Sequence, residues 1–263
     1  MKEFVSVAVD AARRAGELVR ERFGAAHEIE RKGATDFVTE ADRSSEALIR
    51  GLLAAEFPGH AILGEEEGAA GPLVAGYRWI IDPLDGTTNF IHGFERVAVS
   101  IALERAGELA VGVVYSPLLD ELYVAEAGSG AFLTRGDAPP ERLRVSTTPE
   151  LLGALLATGF PYEPDPDRRN VAEAVAVLEE ARDLRRLGSA ALDLCDVARG
   201  RYDGYFEHDI HAWDVAAGAL MVVEAGGRVT ARDGGRFRVE DGYCLATNGR
   251  IHDALLQLFA RIP

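Results

Sequence analysis

The sequence predicts an α/β (α+β) fold in one compact unit of two lobes, an antiparallel sheet lobe over residues 1–145 and an alternating α/β lobe over residues 146–263. Three observations predict it. Apolar residues recur at helical spacing along residues 3–23, strand-like runs follow one another between Gly, Pro and Asp turns from Val97 to Val145, and strand and helix patterns alternate beyond that point. The chain has 263 residues and is 48% hydrophobic, which suffices for a large core without disulfide staples.

The elements follow in order. Phe4, Val5, Ala8, Ala11, Ala12, Ala15, Leu18, Val19 and Phe23 form the apolar stripe of a first helix, ended by Gly24. A turn-rich approach from Arg31 to Val38 leads to Thr39-Glu40-Ala41-Asp42, which approximates a capping box opening a helix that runs to about Phe57. Pro58-Gly59 breaks the chain, Ala61-Ile62-Leu63 is a short strand, and Gly64 precedes Glu65, Glu66 and Glu67. Trp79–Ile81 is a short buried strand. Strands over Val97–Glu104, Leu109–Ser116, Leu122–Ala125 and Ala131–Leu133 make a meander, and Asp137-Ala138-Pro139-Pro140-Glu141 is a surface loop near the lobe boundary. The second lobe reads as strand Ala154–Thr158, helix Val171–Ala181, strand Leu184–Leu187, helix Ala190–Ala198 and strand Tyr202–Phe206. A helix from about His211 to Ala225, strands Arg228–Thr230 and Tyr243–Ala246, and a last helix Ile251–Arg261 complete it.

Composition narrows the function classes. A formal charge of −15 repels nucleic-acid phosphates, so nucleic acid is not an expected partner. No apolar run approaches membrane-spanning length and no secretory segment opens the chain, so the expectation is a soluble cytoplasmic protein without membrane association. Cys195 and Cys244 lie in apolar surroundings without CxxC or Cys/His spacing and read as buried free thiols. Asparagine is confined to Asn89, Asn170 and Asn248, and glutamine to Gln257, a scarcity that accompanies heat adaptation. Lysine occurs only at Lys2 and Lys32.

Chemistry concentrates in Trp79–Asn89. The apolar run delivers the chain into Asp82 and Asp85, three residues apart with Pro83 fixing the backbone between them. Gly86, Thr87 and Thr88 then offer backbone N–H groups and hydroxyls in a turn of the kind that binds phosphate oxygens. Asp85-Gly86 is equally a hairpin turn, with Ile91 onward as the return strand. Elsewhere, the three glutamates read as a solvated loop or, like Asp82, as ligands at a strand mouth. Asp42 reads as a helix cap, and Asp214 as a first-turn carboxylate facing its helix dipole.

Taken together, Gly64-Glu65-Glu66, Asp82-Pro83-Leu84-Asp85-Gly86-Thr87 and His211-Ala212-Trp213-Asp214 resemble the signature of the inositol monophosphatase family, lithium-sensitive and metal-dependent sugar-phosphate phosphatases. The likeness extends over Lys32, Asp36–Asp42, Gly112–Tyr115, Thr158–Pro161, Gly188-Ser189-Ala190 and Glu207. It implies a layered αβαβα sandwich of the sugar-phosphatase type, a homodimer, and Mg²⁺ as cofactor, two or three ions per site with Mn²⁺ as a substitute. By position, it implies Glu65, Asp82, the Leu84 carbonyl, Asp85 and Asp214 as metal ligands. Asp42, Thr87 and Glu66 fall at catalytic positions, Thr87 and Asp42 orienting the attacking water. Leu84, Asp85, Gly86, Thr87, Arg185, Ala190, Glu207, Asp214 and Lys32 fall on the substrate side, Lys32 on a loop near the metals.

The physics of the residues agrees. Convergent carboxylates repel one another by about 4 kcal/mol per pair at ~4 Å and an effective dielectric near 20, so such a site requires cations. Oxygen ligands without a Cys or His cluster favour Mg²⁺ or Mn²⁺ over Zn²⁺. Rival nucleophiles lack their patterns: Gly128-Ser129-Gly130 is not a GxSxG elbow, no P-loop is present, and His211 reads as a packing residue at a helix start. The expected activity is Mg²⁺-dependent hydrolysis of myo-inositol monophosphate or a related small sugar phosphate. Fructose-1,6-bisphosphatase or a dual activity is the alternative, with Arg185 and Arg186 for a second phosphate. A non-catalytic acidic interaction module would not require Thr87 or Asp42.

Overall fold

The computed structural model describes residues 1–25, 29–31, 37–71, 76–161 and 168–262. The chain opens with helix α1 (Lys2–Arg22), whose Ala8, Ala11, Ala12, Ala15 and Val19 are fully buried, then forms the antiparallel pair β1 (Ile29–Arg31) and β2 (Phe37–Thr39) and helix α2 (Glu40–Glu56). Thr39 caps α2 as expected: Ala41 N–H donates to its Oγ1 at 3.1 Å, and Thr39 N–H donates to Asp42 Oδ2 at 2.8 Å.

Next come β3 (Ala61–Gly64), β4 (Gly68–Ala70), β5 (Tyr77–Asp85), the short helix α3 (Thr87–Ile91), β6 (Ala98–Arg105), β7 (Glu108–Ser116), β8 (Glu121–Glu126), β9 (Gly130–Arg135) and β10 (Glu141–Arg142). These strands form a sheet of order β10-β9-β8-β7-β6-β5-β3-β4, antiparallel throughout except for the parallel pair β3/β5. Two sequence expectations are corrected here. The strand expected to end at Ile81 runs on through Asp85, with the pairing shifted by one residue between Asp82↔Ser100 and Asp85↔Ala98. Pro83 has no N–H for the ladder and Leu84 N–H turns to Asp82 Oδ1 at 2.9 Å, so the extra residue is absorbed as a bulge that re-aims the side chains. Strands β5 and β6 are antiparallel neighbours, but α3 lies between them, which replaces the tight Asp-Gly hairpin turn.

The remaining elements are β11 (Leu155–Thr158), α4 (Arg169–Glu180), β12 (Asp183–Arg185), α5 (Ala190–Ala198), β13 (Gly204–His208), α6 (Ala212–Glu224), β14 (Arg228–Thr230), β15 (Tyr243–Thr247) and α7 (His252–Phe259). Five strands pair in the order β12-β11-β13-β15-β14. Strand β12 stops at Arg185, two residues short of the expected Leu187, and β13 begins at Gly204 rather than Tyr202.

Alternation along the strands divides the core. Trp79 and Ile81 pack under α1 and α2, while Ile80 between them faces α5 and α6. Tyr205, Cys244 and Ala246 face α5 and α6 from the second sheet, while Phe206 and Leu245 pack outward with α4 and α7. The layers are therefore helix, sheet, helix, sheet, helix, the αβαβα sandwich. Cys195 and Cys244 are buried free thiols. No helix among the described residues is long and apolar enough to cross a membrane.

Two features of this packing bear on the site. Helix α6 is buried between the sheets along most of its length, and Gly112 of β7 admits its backbone: a Cβ there would stand 2.8 Å from Ala217 O. The loop after β15 turns on Asn248, whose Nδ2 donates to Ser146 Oγ and Thr148 O, both at 2.9 Å, and whose Oδ1 accepts Arg250 N–H at 2.9 Å. Gly249 N–H donates to Thr247 Oγ1 at 3.0 Å.

Gly112→Ala should push α6 off the sheet and lower stability by about 1–3 kcal/mol, the usual cost of overpacking. Urea unfolding of the purified variant measures it, and an unchanged midpoint would contradict the close backbone approach.

Candidate active site

Parallel pairing of β3 with β5 sets the site. Gly64 pairs with Ile81, so Glu65, where the chain leaves β3, and Asp82, still paired within β5, follow side by side. The bulge turns Asp85 into the same space, and α6 aims its first turn there from the central layer. Asp82, Asp85 and Asp214 each offer a carboxylate oxygen, and the three oxygens lie within 4.8 Å of one another. Asp82 and Asp85 are buried and Asp214 is half-buried. Asp214 also caps its helix, with Oδ2 accepting His211 N–H at 2.8 Å, so its place in the carboxylate cluster is compatible with a capping role. His211 stacks on Trp213.

Burial pushes the Asp82 carboxyl well above the usual carboxylate range, and the neighbouring charges of Glu65, Asp85 and Asp214 push it further. Asp214 is raised by burial and then by Asp85 and Glu65. Asp85 is raised by burial against the opposing pull of its hydrogen bonds. Its Oδ2 accepts Ser189 Oγ–H at 2.6 Å and Ala191 N–H at 2.8 Å, and its Oδ1 accepts Ala190 N–H at 3.3 Å, so the start of α5 fixes its orientation. A buried all-oxygen set whose members raise one another's pKa fits a hard divalent cation.

Beside the carboxylates runs a chain of hydrogen bonds. Thr87 Oγ1 lies 2.9 Å from Asp42 Oδ1 and 3.1 Å from the Leu84 carbonyl oxygen, and its single proton is available to one of them at a time. Asp42 thus caps α2 with Oδ2, as expected, and accepts the Thr87 hydroxyl with Oδ1. Burial raises its pKa despite the bonds from Thr39 and Thr87. Gly86 adopts φ +94°, and a Cβ there would stand 2.9 Å from Arg96 O, so this turn requires glycine on both counts.

The Glu65–Glu67 turn is clamped rather than freely solvated. The fully buried Glu46 accepts Glu66 N–H at 2.8 Å and Glu67 N–H at 3.0 Å, and Arg50 Nε donates to it at 2.7 Å. Ser45 Oγ donates to Pro83 O at 2.8 Å. Glu46 and Ser45 are functional supports that the sequence reading missed; the available signal was a run of polar residues, Asp42, Ser45, Glu46 and Arg50, on the face of α2 that also carries Ile49 and Leu53.

Next to the carboxylates a cavity is lined by Phe160, Arg186, Ala190, Glu207, Ile210 and Asp214 among others. Glu207 is buried, receives the Tyr205 hydroxyl, and is pushed up to about 8 by burial, with Asp193 and Asp85 adding to the shift and Arg186 opposing it. Arg185, expected on the substrate side, instead pairs with Asp183 at 2.6 Å on the exposed edge strand, and Arg186 lines the cavity. The early end of β12 explains the difference, since adjacent residues leaving a strand point opposite ways. Lys32 and Asp36 lie outside the described residues.

The sequence profile of the Inositol monophosphatase family matches residues 1–263. The chain belongs to the inositol monophosphatase family. It is similar to the inositol-1-monophosphatase of Mesorhizobium japonicum, 43% identical over 96% of this chain and 94% of that one. Among solved structures, the extragenic suppressor protein suhB of Bartonella henselae superposes with a TM-score of 0.91 at 40% identity, covering 98% of each chain. The inositol monophosphatase from an Anabaena (Nostoc) species does so at 0.87 and 41% identity, covering 100% of this chain and 97% of that one. The sandwich of sheets and helices described above is thus the inositol monophosphatase fold.

Glu207 titrates near 8 in the folded chain against an ordinary 4.5, so folding takes up a proton between these values. Its contribution to stability is fully present below about pH 4.5 and is lost as the pH rises through about 8. Glu207→Gln should flatten the fall in unfolding free energy of the metal-free protein across that window, without abolishing it, because Asp193, pushed up to about 7 chiefly by burial, acts in the same direction. Urea denaturation at several pH values tests this; an unchanged slope would rule out the shift at Glu207.

Proposed function

We propose that the chain is a Mg²⁺-dependent phosphomonoesterase acting on myo-inositol monophosphate or a related small sugar phosphate. The observation that carries the reading is the meeting of Asp82, Asp85 and Asp214 oxygens within 4.8 Å beside the Asp42–Thr87 hydrogen bond. Glu65, Asp82, the Leu84 carbonyl, Asp85 and Asp214 would hold two or three ions, residues 1–145 supplying all but the last and residues 146–263 supplying Asp214. Bound Mg²⁺ supplies Lewis-acid stabilisation of phosphoryl and leaving-group charge and makes water more acidic. Mn²⁺ is the expected substitute, and lithium sensitivity, a homodimer and a cytoplasmic setting belong to the same reading.

The protein's own groups do the rest. When Thr87 donates its proton to Asp42, its oxygen lone pairs can accept a hydrogen bond from a water and turn that water's own lone pair toward phosphorus. The raised pKa of Asp42 suits it to take up the proton that the water sheds through Thr87. Gly86 and Thr87 N–H groups would hold the phosphate, and Glu66 would add to the acidic mouth beside Glu65. On the leaving-group side Glu207, pushed up to about 8 and so mostly protonated near neutrality, can donate to a sugar hydroxyl, with Ala190 beside it. Among the described residues that line the cavity, Arg186 is the single Lys or Arg side chain, while five carboxylates share that lining, which favours one phosphate over two.

With purified protein and Mg²⁺, inorganic phosphate should be released from myo-inositol 1-phosphate, and a chelator in excess should abolish release. Fructose 1,6-bisphosphate in the same panel decides the bisphosphatase alternative, and no release from any sugar phosphate would refute the reading. Thr87→Ala should lower kcat by about 10²–10⁴-fold with a small change in KM, the range for loss of a proton-transfer group. Asp85→Asn should weaken Mg²⁺ activation and turnover together, as read from the Mg²⁺ dependence of the rate.

A further inference from the structure

Asp85 takes its orientation from Ser189, Ala190 and Ala191, so the site depends on what holds the start of α5 against the turn after β5. One side chain spans that gap. Asn89, in α3, places Nδ2 at 2.8 Å from Leu187 O, 2.8 Å from Arg96 O and 3.3 Å from Gly188 O. Its own carbonyl accepts Phe94 N–H at 2.8 Å, so its backbone is fixed while its amide reaches out.

Two of those carbonyls border the Gly86 turn. A Cβ on Gly86 would stand 2.9 Å from Arg96 O and 3.2 Å from Gly188 O, so both oxygens crowd this turn. Two amide hydrogens shared among three carbonyl oxygens hold these dipoles together and offset them. Without a donor there, the oxygens repel one another, and the segment carrying Gly188 and Ser189 is the part free to move. Ser189 follows directly and donates to Asp85. The guanidinium of Arg96 reaches the same helix, donating to Asp193 at 2.6 Å and Asp196 at 2.9 Å, so its carbonyl is a fixed point against which Asn89 ties the 187–188 segment.

We propose that Asn89 is a positioning residue for the hydrolysis: its amide fastens the start of α5 to the Gly86 turn and so keeps Asp85 aligned for its cation. This rests on the phosphatase reading above. Asn89 touches neither cation nor substrate and acts through Leu187, Gly188 and Ser189.

The test uses Asn89→Ala, the isosteric Asn89→Asp, which keeps the volume but has no side-chain donor at neutral pH, and Leu255→Ala, which hollows the core under α7 far from the site. Mn²⁺ titration calorimetry on the metal-free proteins reads alignment without catalysis. Asn89→Ala should bind Mn²⁺ about tenfold more weakly, and both Asn89 variants should lose about 10- to 100-fold in kcat at saturating Mg²⁺ with a smaller change in KM, the scale set by small misplacements of a catalytic group. Leu255→Ala should keep the unmodified Mn²⁺ affinity and kcat of its folded fraction. Mn²⁺ affinity of Asn89→Ala within twofold of the unmodified chain, full kcat in Asn89→Asp, or Asn89→Ala behaving as Leu255→Ala does would each overturn the proposal. If the unmodified chain releases no phosphate, the phosphatase reading fails, and the Mn²⁺ affinities alone decide the role of Asn89.

Discussion

Mutual repulsion among carboxylates is the constraint on which this structure turns. Asp82, Asp85 and Asp214 could relax by moving apart, and the surrounding fold is what prevents it. Asp82 and Asp85 sit on a buried interior strand of an eight-stranded sheet, and Asp214 sits on a helix wedged between two sheets. Burial removes the water that would screen the charges, so each group raises the pKa of the next. A divalent ion held there would offset that repulsion, so such a site couples folding stability to cation binding.

The supports around the site share one device, hydrogen bonds between buried side chains and main-chain groups. Glu46 grips the Glu66 and Glu67 amides, Ser45 grips the Pro83 carbonyl, and Ser189 together with the Ala191 amide grips Asp85. In each case a polar atom that would be costly to bury alone is satisfied by a main-chain group that needs a fixed position. Asp82 and Asp214 accept a bond on one oxygen each, from Leu84 N–H and His211 N–H.

What the sequence made legible follows the range of each interaction. Asp82, Asp85, Gly86 and Thr87 fall within six consecutive residues, and their types in that order already imply a cation beside an anion-binding turn. The Thr39–Asp42 cap is equally local, and the alternating second lobe follows from periodicity. The length of β5 was not legible, because carboxylates and a proline ordinarily end a strand, and only the neighbouring β6 with its bulge allows them to continue one. Arg186 could not be told from Arg185 without knowing where β12 stops. Glu46 and Asn89 act on partners that folding alone brings near, so no spacing rule announces them.

The three asparagines close the account. Asn89 ties two loops, Asn170 donates to Thr158 Oγ1 and accepts His208 N–H, and Asn248 anchors the turn after β15. Asn248 is followed by glycine, the dipeptide whose backbone nitrogen most readily attacks the preceding side chain to form a succinimide. Here that nitrogen is bonded to Thr247 and the side chain it would attack is held at both ends. The turn therefore protects itself from chemical ageing with the same bonds that give it shape, and its lifetime as a covalent structure depends on its staying folded.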